Sequence, residues 1–370
     1  MKRIFAVLLV AVVLAAFAAG CNNDPAPSSQ PPTSPQSTPP VYDTPASNSP
    51  SPGDETPFEP ASPDPKPVNG PIMISAEELN ALMGDENLII VGVISPSAAL
   101  VPFSNAANPV NGSYLVWTGD FLASGNDEAL STEIGLFRPK LADMETLMSK
   151  AGAMQDSLIV VYSSDWLSQG ARVAWNLSML GLNVRFLDGG VEAWRAIHGR
   201  TGNSKRLPDQ SIKTDFRAPN YSPGACDVSI DMVIEALQNP DEWVVIDTRD
   251  LAEYEGKKTD SSGGAYGTGR MKGAVHIQWE TAQDSKGKLL SRDELMGIYG
   301  FIGDRKVIVF CQGGVRSAYT WIVLKDLGFD VYNYDGSWLE WSYAVSDYSS
   351  YPKDVVLGLT EEWKDYGKPI

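Results

Sequence analysis

The sequence predicts an α/β protein of two domains, each a mainly parallel sheet flanked by helices. Three observations predict it. Short runs of β-branched and apolar residues alternate with stretches of helical periodicity, the pattern of parallel-sheet architecture. Two signatures recur at a displacement of 147 residues: Leu180-Gly181 with Leu327-Gly328, and Asp188-Gly189 with Asp335-Gly336. The chain has 370 residues and a hydrophobic share of 43%, a globular composition with length for two ordinary domains once extensions are removed.

The extensions come first. Lys2 and Arg3 precede an apolar run, Ile4 to Ala19, that is too short and wrongly flanked for a membrane span. It ends in Phe17-Ala18-Ala19-Gly20-Cys21, small residues before a cysteine. This looks like a bacterial lipobox: residues 1–20 are a signal peptide, and Cys21 is lipidated as the first mature residue. An ordinary signal peptide with an incidental cysteine is the alternative. From Asn22 to Gly70 the chain holds 15 of its 26 prolines, with many Ser, Thr and Asn. Such composition cannot bury enough apolar area to offset ordering entropy, so residues 21–70 read as a disordered tether. The globular part is then expected outside the cytoplasm, held to a membrane only through the lipid.

The first domain, residues 71–200, opens with a capping box, Ser75 and Glu78, starting a helix to about Met83. Leu88 to Ile94 and Leu158 to Tyr162 read as buried strands. A helix through Leu177 and Leu180 stops at Gly181, and Val184 to Leu187 leads into Asp188-Gly189-Gly190. Residues 201–222 have no clear periodicity and are assigned to a linker. The second domain, residues 223–370, repeats the order. Asp231 is placed to cap a helix through Val233 and Leu237, and Val244 to Ile246 is a strand. Val307 to Phe310 is another, followed by a loop and a helix ending at Gly328; Val331 to Tyr334 leads to Asp335-Gly336.

That loop, Cys311-Gln312-Gly313-Gly314-Val315-Arg316, is the chemical centre of the sequence. It joins a strand end to a helix start, where ligand sites of parallel sheets lie. A tight loop entering a helix aims backbone N–H groups at one point and makes an anion cradle. A cysteine inside it should have a lowered pKa and react as the thiolate. Arg316 adds a permanent cation that can fork onto an oxyanion.

The loop resembles the six-residue active loop of the rhodanese family of sulfurtransferases, which starts with Cys and often ends in Arg or Thr. Asp247-Thr248-Arg249 followed by Glu253-Tyr254 resembles the family's Asp-x-Arg…Glu-Tyr segment. Gly269-Arg270-Met271-Lys272-Gly273-Ala274 resembles its Gly-His-Ile-Pro-Gly-Ala stretch, with Arg270 for His and Lys272 for Pro. The resemblance covers about residues 71–350 and implies two rhodanese-like domains, the second catalytic and the first inactive. It implies Cys311 as the nucleophile that carries sulfur as a persulfide. Gln312, Gly313, Gly314 and Val315 would cradle that persulfide, Arg316 and Arg249 would bind the substrate, and no cofactor would be needed. Asp247 reads as an orienting or structural carboxylate, and an ion pair with Glu253 is the competing role for Arg249. Tyrosine phosphatases space Cys and Arg by five residues; the four here suit a smaller cradle.

Alignment of the halves puts Ser163 opposite Cys311, and Gly92-Val93-Ile94 opposite Asp247-Thr248-Arg249. Nucleophile and arginine are lost together in the first half, which is therefore expected to form one wall of a cleft. Two histidines and three cysteines, none clustered, leave no metal site. A net charge of −17 argues against a nucleic-acid partner. Cys226 reads as a free thiol, because a disulfide to Cys311 would block the nucleophile. The sequence thus predicts transfer of sulfur from a small anionic donor such as thiosulfate to a thiol or cyanide. Enzymes using mercaptopyruvate usually end the loop in Thr, so that donor is second. The competing function is a non-catalytic sulfur carrier or docking module.

Overall fold

The structure, a computed structural model, describes residues 72–94, 108–123, 130, 134–257, 265–346, 349–352, 355–356 and 358–361. These residues belong to one compact unit, 65–370. The expected signal segment, Cys21 and the tether lie outside the described residues.

The first half begins with β1 (Met73–Ile74) and α1 (Ala76–Leu82). The capping box starts α1 as expected: Ser75 Oγ accepts from Glu78 N at 3.1 Å, and Glu78 accepts from Ser75 N at 2.8 Å. Then follow β2 (Leu88–Val93), β3 (Tyr114–Val116), α2 (Leu141–Ala151), β4 (Leu158–Ser163), α3 (Leu167–Ser178), β5 (Asn183–Leu187), α4 (Gly190–Ala196) and β6 (Lys205–Arg206). The six strands form a parallel sheet in the order β1-β5-β4-β2-β3-β6.

The second half contains α5 (Ile230–Gln238), β7 (Trp243–Asp247), α6 (Leu251–Tyr254), β8 (Arg270–Met271), β9 (Val275–His276), α7 (Arg292–Tyr299), β10 (Lys306–Phe310), α8 (Val315–Leu327), β11 (Val331–Asn333), α9 (Ser337–Val345) and β12 (Thr360–Glu361). Its parallel sheet has the order β11-β10-β7-β9, and β8 pairs separately and antiparallel with β12. The mixed α/β class with parallel sheets flanked by helices is as the sequence predicts.

Two local readings change. The cap of α5 is Ser229, whose Oγ accepts from Met232 N at 3.4 Å, and not Asp231. Asp231 lies inside the first turn, where a carboxylate favours the positive helix end. Residues 201–222 are no free connector. They add β6 to the first sheet and bury Leu207 and Phe216.

Burial explains why the strands read as continuous apolar runs. Along β2 and β4, Val91 and Val161 face the centre of the molecule, while Ile90, Val160 and Tyr162 face an outer layer with Trp194. In the second sheet, Ile246 and Val309 face the centre, whereas Val245, Ile308 and Phe310 pack outward against Trp338 and Trp341. Both faces of each sheet are covered, as parallel sheets require. The central layer is one hydrophobic core: α3 lies against α8, joining Trp175 and Leu177 to Tyr319, Trp321 and Ile322. This helix pair brings the first half against the loop that precedes α8.

Candidate functional site

Cys311 follows the last residue of β10 and opens the loop into α8. Neighbouring strands fix that strand end: Phe310 pairs with Asp247 on β7 and Val309 with Asn333 on β11. Gly314 caps α8 at a φ of +72°, the left-handed region that favours glycine. Gly313 is closely packed by the first half. A Cβ there would lie 2.6 Å from Leu136 Cδ1, so that side chain would have to shift to admit one.

The residue is only 1% exposed, and burial by itself raises a thiol's pKa. The Arg316 charge, the Ser317 hydroxyl and the amides of Ser317 and Gly313 oppose that, and the net direction is downward from an ordinary thiol. Ser317 Oγ is buried and has no other partner among the described residues. These are the groups expected around a thiolate nucleophile. Cys226, also free and buried, is the contrast: burial outweighs the Lys325 charge and pushes its thiol up to about 12.

Ser337 braces the loop from behind. Its Oγ accepts from Cys311 N at 3.2 Å and Gly314 N at 2.9 Å, and donates to Tyr334 O at 2.7 Å. It does so at a φ of +51°, a strained conformation for a serine. The residue 147 positions earlier is Gly190, at a φ of +57°. The repeat therefore carried the signal: where the first half keeps glycine, the second accepts strain and gains a hydroxyl under the loop.

The two predicted arginines part company. Arg316 lines a cleft of 650 Å³ together with Gln312, its neighbours Asp250 and Glu253, and Asp165 and Trp166 from the first half. Its guanidinium donates to both Glu253 carboxylate oxygens, at 2.6 and 2.9 Å, and to Asp250 at 3.3 Å. Arg249 is not in this lining. It is buried on Asp247, with Nε and Nη2 donating to the carboxylate at 2.6–3.1 Å and Nη2 also to Gly269 O at 2.9 Å. Its cation lies 4.4 Å from the Trp338 ring. Asp247 is fully buried and holds that arginine, so it orients structure. The ion pair read for Arg249 with Glu253 belongs to Arg316 instead, because helix α6 turns Glu253 toward the loop. His276 Nε2 donates to Arg249 O at 2.8 Å, and the ring stacks on Tyr254.

The first half meets the site without a nucleophile. Val93 pairs with Ser163 as the strand register requires for the Ser163–Cys311 alignment. Ser163 Oγ donates to Leu167 O at 3.3 Å and accepts from Gly170 N at 2.9 Å, so its own helix occupies it. Trp166, 68% exposed, stands on the cleft rim three residues later.

Comparison with known proteins agrees with this geometry. The Rhodanese-like domain model matches residues 231–344, which include the loop and its bracing serine. A putative thiosulfate sulfurtransferase SseA of Mycobacterium leprae is 30% identical over 283 residues, covering 68% of this chain and 93% of that one. Its counterpart from Mycobacterium bovis is 35% identical over 209 residues, covering 54% and 68%. In fold, the chain resembles the crystal structure of SseA from Escherichia coli, a 3-mercaptopyruvate sulfotransferase with the "rhodanese" fold. That match has a TM-score of 0.57 at 22% identity, over 73% of this chain and 100% of that one. A relative matched over nearly its whole length, and a strand–loop–helix whose charge and hydrogen-bond donors lower the pKa of its cysteine, lead to one family: the chain is a member of the rhodanese sulfurtransferases.

Proposed function

We propose that this sulfurtransferase works through a persulfide on Cys311 and takes its sulfur from thiosulfate. The single observation that carries the reading is the set of donors on the buried Cys311 sulfur, which favours the anionic form. The thiolate attacks the outer sulfur of thiosulfate. A new S–S bond forms, the old one breaks, and its electron pair leaves on sulfite. The terminal sulfur of the persulfide keeps the negative charge, which the loop amides and the Ser317 hydroxyl stabilise. Cyanide or a thiolate then attacks that terminal sulfur and leaves as thiocyanate or a new persulfide, restoring the Cys311 thiolate. Arg316, the arginine that faces the cleft, presents its fork to the sulfonate oxygens of the donor. Relatives named thiosulfate sulfurtransferases support this donor.

We read each half as one rhodanese-like domain, 71–200 and 223–370, with the first lacking a nucleophile; the occupied Ser163 hydroxyl supports that. The lipobox-like segment before Cys21 supports an extracytoplasmic protein tethered by lipid.

Mass spectrometry after thiosulfate exposure tests the chemistry. A one-sulfur gain on the Cys311 peptide is expected, together with loss of thiosulfate:cyanide transfer in Cys311→Ser. Transfer that persists in that variant removes Cys311 from the role.

A further inference from the structure

With Cys311 as the sulfur-carrying residue, we infer that Arg172, from the half without a nucleophile, is a positioning residue for the sulfur-transfer loop. Arg172 lies on α3 and is completely buried. Its Nη1 donates to the carbonyl of Gly314, inside the loop, at 3.1 Å. Its Nη2 donates to Leu136 O at 2.8 Å and pairs with Asp335 Oδ1 at 2.5 Å. The cation lies 4.6 Å from the ring of Trp175. One planar fork thus joins the loop to the first half's backbone and to the carboxylate at the start of the α9 turn.

The position of Gly314 makes that contact matter for chemistry. The amides of Gly313 and Ser317, on either side of it, act on the sulfur. Peptide units are planar and rigid, so fixing the Gly314 carbonyl fixes the direction of the next N–H and restrains its neighbours. Asn333 Nδ2 donates to the same carbonyl at 3.1 Å. The fit is close: a Cβ on Gly314 would stand 2.5 Å from Arg172 Nη1. A buried guanidinium without acceptors is strongly unfavourable, so Arg172 holds its acceptors in place as firmly as they hold it.

A second first-half arginine provides the comparison. Arg138 grips the same interface through Asp227 at 3.0 Å, the Tyr221 hydroxyl at 3.0 Å, and its backbone N–H to Asp335 at 2.8 Å. If Arg172 merely glued the halves together, the two arginines would be equivalent.

The test uses full-length Arg172→Lys, Arg172→Met and Arg138→Met, with folding checked by circular dichroism. Two quantities are read: the pH midpoint of Cys311 alkylation by iodoacetamide, and kcat and KM for thiosulfate:cyanide transfer. Arg172→Lys keeps a charge opposite Asp335 and loses the fork. The expected result is a raised alkylation midpoint in the Arg172 variants and a kcat lower by roughly ten- to a hundredfold, with KM changed far less. Arg138→Met should keep the wild-type midpoint. A folded Arg172→Lys with wild-type midpoint and kcat overturns the assignment, as does an Arg138→Met midpoint shifted as far as those of the Arg172 variants. Should neither Arg172 variant fold, Asn333→Ala decides by the same midpoint: a rise supports the role of the Gly314 carbonyl, and no change overturns it. Sulfur transfer persisting in Cys311→Ser would fail the persulfide reading separately, without touching the alkylation comparison.

Discussion

Glu253→Gln should make the enzyme bind its anionic donor more tightly. Glu253 occupies Arg316 through two charge-assisted hydrogen bonds, at 2.6 and 2.9 Å, inside the cleft where thiosulfate is proposed to bind. An oxyanion on the same guanidinium would lie roughly 5–7 Å from the carboxylate; at an effective dielectric of about 20 that repulsion is about 2.4–3.3 kcal/mol per unit charge. The Arg316 side chain is 21% exposed, so solvent and salt reduce this to about 1–2 kcal/mol. The glutamine is nearly isosteric and its oxygen still accepts from Arg316, so the geometry should survive. The expected outcome is a thiosulfate KM lower by about five- to thirtyfold, with kcat less affected and the gain shrinking as salt is added. Removal of a negative charge near Cys311 should also lower its alkylation midpoint. Steady-state kinetics across a salt series measures the first effect. A KM that stays the same or rises would refute the reasoning and make Glu253 a support that Arg316 needs.

Other expectations follow from the same geometry. Arg316→Thr should weaken thiosulfate use by about ten- to a hundredfold while sparing mercaptopyruvate, because one charge-assisted hydrogen bond to the sulfonate is lost; kinetics with both donors checks it. Ser337→Gly should leave thermal stability near wild type, since relief of the strained φ offsets lost hydrogen bonds, yet slow persulfide formation in stopped-flow single turnovers. Cys21→Ala should abolish lipid attachment and release the protein from membranes, read by fractionation and mass spectrometry.

The loop was legible because it is local. Cys311, two glycines and Arg316 lie within six residues, and a strand end followed by a helix start is a short-range pattern. What sequence could not show was which charges meet. Arg249 and Arg316 looked alike as cations near strand ends, and only the fold buries one on Asp247 and turns the other toward the cleft. Ser337 was visible only as a departure from the repeat, opposite Gly190. Arg172 carried no local signal, because its partners Gly314 and Asp335 are 142 and 163 positions away along the chain. The short strands β3 and β6 were missed because two or three residues show no periodicity.

The single core between the sheets also bears on how the protein comes apart. Trp175 and Trp321 belong to one buried layer, so neither half has a complete hydrophobic interior of its own on that side. Opening the first half would wet the inner face of α8 and strip the Arg172 contact from the Gly314 carbonyl at the same moment. Denaturant should therefore erase tryptophan burial and thiolate reactivity in one transition. The half that carries Ser163 where the other carries Cys311 still cannot drift freely in sequence, because its inner surface is the other half's interior.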